Sequence, residues 1–468
     1  MKMEFSELSR INGGIKMSNI GNAELLRQAR SARQEGTGYQ RIISLFDAGS
    51  FNEIDGYSKS GEDYTEAVAG YGTIEGCPAY AFVQSIELAG GAMSKAQAAK
   101  ICKLYSMALK TGAPVIGVYD SHGGRLKEGD NLLAAYGEIL LKSNNLSGVV
   151  PQISLILGPC IGTSALIAAG ADIVVMTEKA ELTIATDGSG ASSGEAAARG
   201  DCHILATDEP DAIAKVRKLI TLLPSNNLSG NPALNPQNAD SGMELTEQSD
   251  GRQILEAICD SDSILELGKS FGPAVLTALC SINGATAGVI SYTGTIDADA
   301  GSKAARFIRF CDAFSIPIVS FVNAGSFTTL REASKLSSSY SETTAPKLSV
   351  ITGTAYGPVY IAVAGHGANS DYTMAWPNAV ISPLAPETAA VFLWNQRLAG
   401  SEQPLEDRRK LVEEYKTTEA SPFKAAADGL IEDIVLPGET RTRIISTLEM
   451  LSSKRVSGLP KKHSNIQL

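Results

Sequence analysis

Three runs of small residues in this 468-residue chain are suited to holding a developing negative charge: DSHGGRLKEG (Asp120–Gly129), GPCIGTSA (Gly158–Ala165) and TAYGPVY (Thr354–Tyr360). All three stand at strand ends, and in such a turn a helix is expected to begin directly after a buried strand. The first N–H groups of such a helix have no intrahelical partner and sit at the positive end of its dipole. Small side chains let a ligand oxygen approach them, which is how an oxyanion hole is built. One donor there stabilises a transition state by about 2.7–4 kcal/mol. Taken singly, each turn is better explained by tight strand–helix packing.

Other chemistries lack their residues. The four histidines (His122, His203, His366, His463) form no HExxH pair and no Cys/His cluster, so no catalytic metal is expected. There is no GxSxG elbow, no GxxxxGK[ST] loop and no GxGxxG after a first strand. Asp297 and Asp299 in IDADAG are the nearest thing to a carboxylate pair, and two acids in a turn read first as solvated. The seven cysteines (Cys77, Cys102, Cys160, Cys202, Cys259, Cys280, Cys311) show no CxxC spacing and lie mostly in apolar segments, as reduced, buried thiols do.

The elements that must position these turns occur twice. KICKLYSMALKTGAPVIGVYDS (Lys100–Ser121) returns in outline as RFIRFCDAFSIPIVSFVNAG (Arg306–Gly325). ISLILGPCIGTSALI (Ile153–Ile167) returns as LSVITGTAYGPVYIA (Leu348–Ala362), and GADIVVMTEKAEL (Gly170–Leu182) as NSDYTMAWPNAVI (Asn369–Ile381). The offset of about 200 residues is far beyond a solenoid repeat and indicates two homologous α/β domains. In the first, Val68–Ile86 reads as a hairpin about Glu75–Gly76, and Ser94–Gly112 as a helix with Ser94 at its N-cap and Gly112 as its stop. The second half repeats the hairpin in ALCSINGATAGVISYTG. The divisions expected are an N-terminal arm (1–35), a first domain (36–225), a Pro/Asn/Ser/Gly-rich linker (226–244) and a second domain (245–468). A net charge of −11 disfavours non-specific nucleic-acid binding. No stretch approaches the roughly 18 apolar residues of a membrane span, and the start has no signal-peptide-like run, so a soluble cytoplasmic protein is expected.

These strings together, with AWPNAVI and the closing KKHSNIQL, resemble the carboxyltransferase subunits of biotin-dependent acyl-CoA carboxylases, of sodium-pumping acyl-CoA decarboxylases and of transcarboxylase. The resemblance covers roughly residues 30–468. It implies two tandem crotonase-like (β-β-α spiral) domains, and six chains in a ring with each site between the first domain of one chain and the second of another. It also implies a carboxyl group moved between carboxybiotin and the α-carbon of a short-chain acyl-CoA. Biotin would arrive on a carboxyl carrier protein, with a biotin carboxylase or a membrane decarboxylase subunit as further partner. In the family the biotin ureido anion is thought to remove the α-proton, so no protein base is required. The protein then places two anions, one hole per repeat.

Carried over residue by residue, the family's C-A-G-G-A turn falls on Cys160–Ser164, with Gly162 and Thr163 as donors. D-S-G-G-A-R falls on Asp120–Arg125, placing Gly123, Gly124 and Arg125 along the CoA side. Y-G-G-A-Y falls on Tyr356, Gly357, Pro358, Val359 and Tyr360. Gly357 and Val359 are the expected donors there, because Pro358 has no N–H. Ile361, next along, bears on acyl size and suits a small unbranched group. The G-F-L-P-G loop has become Gly325–Thr329, and TDGSGASSGEAAARGD (Thr186–Asp201) replaces a longer acidic segment and reads as a mobile loop. The departures at the second turn keep open a non-catalytic paralogue partnering an active subunit. A biotin-free crotonase-type hydrolase or isomerase would need an acid near Gly162, for which Glu128 and Glu195 are the candidates.

Overall fold

The computed structural model describes residues 21–465 apart from 61, 62, 66, 185–190, 237–243, 399, 400, 459 and 464. Its first sheet is assembled from Asn52–Glu53 (β1), Ala67–Ile74 (β4), Cys77–Gln84 (β5), Val115–Ser121 (β6), Gln152–Ile161 (β7), Ile173–Thr177 (β8) and Ile204–Ala206 (β10), in that order. Glu181–Thr183 (β9) joins beside the end of β7, and Lys59–Ser60 (β2) with Asp63–Tyr64 (β3) forms a separate ribbon. The second sheet repeats the order: Leu265–Leu267 (β11), Val275–Ile282 (β12), Ala285–Ile296 (β13), Ile318–Phe327 (β14), Lys347–Tyr356 (β15), Tyr372–Ala375 (β16) and Asp433–Ile434 (β18), with Val380–Ser382 (β17) beside β15. In each, the first three strands are antiparallel and the rest parallel. Parallel strands need crossovers, and helices Lys95–Thr111 and Ala298–Ala313 supply the corresponding ones. Every residue of β6 is buried, as the unbroken apolar run requires.

Local chemistry fixes the ends of these elements as the sequence suggests. Glu75 and Gly76 both take positive φ (49° and 77°) and join β4 to β5, and Asn283 and Gly284 (52° and 78°) do the same for β12 and β13. Ser94 accepts the Gln97 N–H, and Gly112 closes the helix at φ 65°.

The duplication also extends to contacts between residues far apart in the chain. Asp47 accepts the Glu75 and Gly76 amides at 2.9 Å and is gripped by Arg217, which also donates to the Leu45 carbonyl. Asp260 accepts the Asn283 and Gly284 amides and is gripped by Arg441, which also donates to the Ile258 carbonyl. The Gly76 amide is the largest influence holding the Asp47 carboxyl down at about 2. A buried lysine on each crossover helix reaches back to the first residue of the hairpin. Lys100 donates to the Ala67 carbonyl (2.9 Å) and Lys303 to that of Val275 (2.6 Å). Burial pushes both ammonium groups down to about 8.

Three segments refine the expectation, and the cysteines match it. Asn22–Gln34, in the expected arm, is a helix. The linker is anchored where it is described: the Asn226 side chain donates to the Gly112 carbonyl, and Leu234 donates to Gly284 across in the second half. Of the expected mobile loop Thr186–Asp201, residues 186–190 lie outside the described residues. Ser193–Arg199, however, is a helix opened by a Ser192–Glu195 capping box. All seven cysteines are free; six are buried and Cys77 is partly so.

Candidate active site

In its parallel part, each sheet sends one strand past its neighbour into a turn. Tyr119 of β6 pairs with Ile156 of β7, but Ser121 pairs with Cys160, so β7 bulges through Leu157–Gly158–Pro159 before its end. In the second half Val322 pairs with Ile351 and Ala324 with Ala355, giving the same bulge. This register makes Gly162 the counterpart of Gly357, Thr163 of Pro358, and Pro159 of Thr354.

At the first turn Gly162 takes φ 67° and ψ −132°, and the helix Thr163–Ala169 begins at once. The Gly162 N–H is already donated to the Thr183 carbonyl at 2.8 Å. Gly162 is therefore the hinge of the turn, and the amides at the head of the helix are those of Thr163, which is exposed, and Ser164. Gly123 lies beside this turn: a Cβ there would stand 3.9 Å from the Ile161 carbonyl, and φ 112° favours glycine. Gly124 bridges to Met93, which donates to Gly123 and accepts from Arg125, both at 2.8 Å. The structure thus places Gly123 beside the Gly162 turn, while Gly124 and Arg125 pair with Met93. Cys160 does not join them. It is wholly buried in the core, and burial raises its thiol pKa far above the usual value, so it cannot touch a substrate.

At the second turn Gly357 takes φ 35°, with room for no Cβ because the Pro383 carbonyl would lie 2.6 Å away. Pro358 is exposed at the first turn of the short helix Gly357–Val359. Val359 anchors the turn with a fully buried side chain, and its amide belongs to that first turn. Tyr360 is committed to the scaffold: its hydroxyl donates to the Leu430 carbonyl at 2.5 Å and its ring fills the space over Gly365. Burial, with Glu432 behind it, pushes the phenol up to about 12. Tyr356 is half-buried beside Gly325. Ile361 is 57% exposed.

The acids weighed as alternatives have structural employment. Glu128 accepts the Lys95 N–H (2.7 Å) at the head of a helix, Glu195 completes its capping box, and Asp297 caps the helix Ala298–Ala313 through the Ala300 N–H (2.8 Å). Among the described residues no cluster of three or more His, Cys, Asp or Glu could hold a metal ion, and no helix is long and apolar enough to cross a membrane. Sequence reading placed Asp120 in a motif but missed its partner close to the first turn, Arg41. Asp120 is buried where β6 and β7 part and is paired with Arg41.

Comparison with known proteins agrees with this architecture. Residues 30–466 match the model of the carboxyl transferase domain. The chain is 33% identical to the methylmalonyl-CoA decarboxylase subunit alpha of Veillonella parvula, covering 96% of each. It is 34% identical to a putative propionyl-CoA carboxylase beta chain of Bacillus subtilis, again over 96% of each. A crystal structure of transcarboxylase 12S, described as a hexamer assembly with methylmalonyl-coenzyme A and methylmalonic acid bound, superposes with a TM-score of 0.89 at 29% identity. The match covers 97% of this chain and all of that one. The two domains and their strand-end turns define a crotonase-like carboxyltransferase. The chain belongs to the carboxyl transferase family.

Proposed function

We propose that this chain is the carboxyltransferase component of a biotin-dependent acyl-CoA carboxylase or decarboxylase acting on a short-chain acyl or malonyl-type thioester. The observation that carries this is the pair of corresponding strand-end turns. Each opens a helix at the surface and offers a first-turn amide. At the first turn the Thr163 amide faces the oxygen on which the thioester enolate gathers charge. Gly162 hinges the turn, and Gly123–Gly124 leave room for the acyl-CoA. At the second, the Val359 amide serves the oxygen of biotin, and Gly357 keeps the approach narrow. Biotin, when bound, brings the carboxyl group and needs no ionisable protein partner to do so. The donor set fits a neutral, urea-like group, although Pro358 leaves it one N–H short of the first turn.

Both turns carry exposed apolar neighbours. Leu166 and Ile184 flank the first, while Ile361 and Leu384 flank the second. Such patches rimmed by polar surface favour a second copy as cover. The site is then completed between protomers, in keeping with the hexamer of the transcarboxylase relative. The test is transfer of a labelled carboxyl group from methylmalonyl-CoA or malonyl-CoA to biotinylated carrier. Transfer in either direction supports the proposal. Acyl-CoA binding without transfer at saturating carrier would instead identify a regulatory paralogue.

A further inference from the structure

Neither the repeat nor the family motifs account for Arg41, on the helix Thr37–Leu45. Its Nη1 donates to Asp120 Oδ2 at 2.6 Å, and its Nε lies 3.1 Å from both carboxylate oxygens of Glu209. Asp120 is 4% exposed and lies in the β6–β7 bulge, directly over Gly158, where any Cβ would collide with Oδ1. The second half shows what this place requires. There Asn323 lies over Gly353 in the same way, and its Oδ1 accepts the Thr354 amide (3.0 Å) and hydroxyl (3.2 Å) that the bulge has freed from the ladder. The counterpart of Thr354 is Pro159, which has no N–H to offer. The bulge of the first half therefore lacks that amide tie, and Asp120 takes its hydrogen bond from Arg41, on a separate helix, instead.

We propose that Arg41 is a positioning residue for carboxyl transfer, fixing the first oxyanion turn by holding Asp120 packed over Gly158 in the bulge of β7. The inference rests on the function proposed above. From Pro159 the chain runs through Cys160 and Ile161 straight into Gly162 and Thr163, with no loop to absorb a shift. Movement of the bulge therefore reaches the Thr163 amide. A misplacement of about 1 Å can cost on the order of a hundredfold in rate.

The test is a transplant of one half's tie into the other. Arg41→Met should lower kcat by roughly ten- to a hundredfold while the KM for acyl-CoA changes little. Arg41→Lys, which keeps the charge but not the fork, should fall between and serves if the methionine variant does not fold. Asp120→Asn alone should also be impaired. Asp120→Asn with Pro159→Thr recreates the amide–carbonyl tie of the second half and should recover most of kcat, and adding Arg41→Met to that pair should then cost little. Hydrogen exchange over residues 158–165 should quicken in Arg41→Met and slow again in the transplant. This readout needs no turnover, so it decides the clamp even if the protein proves inactive with carrier. Unchanged exchange and kcat in a folded Arg41→Met protein would overturn the proposal. So would a transplant with normal exchange that stays as slow as Asp120→Asn, because the carboxylate itself would then be needed.

Discussion

Replacing Thr163 by proline isolates the first hole with little collateral change. Thr163 is the first residue of its helix, where proline is tolerated because the missing N–H has no intrahelical acceptor. The register shows that the other half already carries a proline at the matching place, Pro358. Its side chain is exposed, so the stability change should stay within about 0.5 kcal/mol. The Gly162 amide, already donated to Thr183, cannot substitute without breaking that bond. Loss of one oxyanion donor costs about 2.7–4 kcal/mol, or 10²–10³ in kcat. Single-turnover transfer from labelled methylmalonyl-CoA to biotinylated carrier should therefore slow by that factor, with acyl-CoA affinity by calorimetry unchanged. Thr163→Gly keeps the amide and should remain near wild type. If Thr163→Pro turns over within about threefold of wild type, the enolate oxygen is not held by this amide and the donor assignment fails.

Further outcomes follow from other features of the two halves. Pro358→Gly adds an amide at the second turn and should raise the rate of transfer to or from carrier by tenfold or more, measured at saturating acyl-CoA. Lys303 titrates near 8 in the fold and near 10.4 when unfolded, so the unfolded chain binds more protons between those values. The stability of wild type relative to Lys303→Met should accordingly rise with pH from about 8 to about 10.4, and stay level at its lower value below about 8, in urea melts at stepped pH. Asp260→Ala exposes a deeply buried clamp, with Asp260 3% exposed, and should cost about 3–5 kcal/mol. The matching Asp47→Ala, where the carboxylate is 29% exposed, should cost on the order of 1 kcal/mol by the same denaturation measurement.

The local pattern of residues reached the fold because hairpin turns, helix caps and strand periodicity are short-range physics. Glu75–Gly76, Ser94, Gly112 and the all-buried β6 lie within a few residues of what dictates them. The repeat gave the two-domain plan and placed the turns of Gly162 and Gly357 at strand ends. The placement of Cys160, counted into the site by motif, failed because strand alternation near a bulge decides which side faces the core. Glu128 and Glu195 could not be sorted from catalytic acids by sequence, since capping depends on which helix end a carboxylate meets.

What the chain alone determined is the repeated α/β architecture, the family and the two glycine turns, because these are written in contiguous segments. Only the folded structure decided which amide is free, that Gly162 is spoken for by Thr183, and that Thr163 and Pro358 are counterparts. It also decided how Arg41, Asp120 and Glu209 meet. These facts depend on register across parallel strands and on contacts between residues many tens of positions apart. A linear sequence does not encode either one locally.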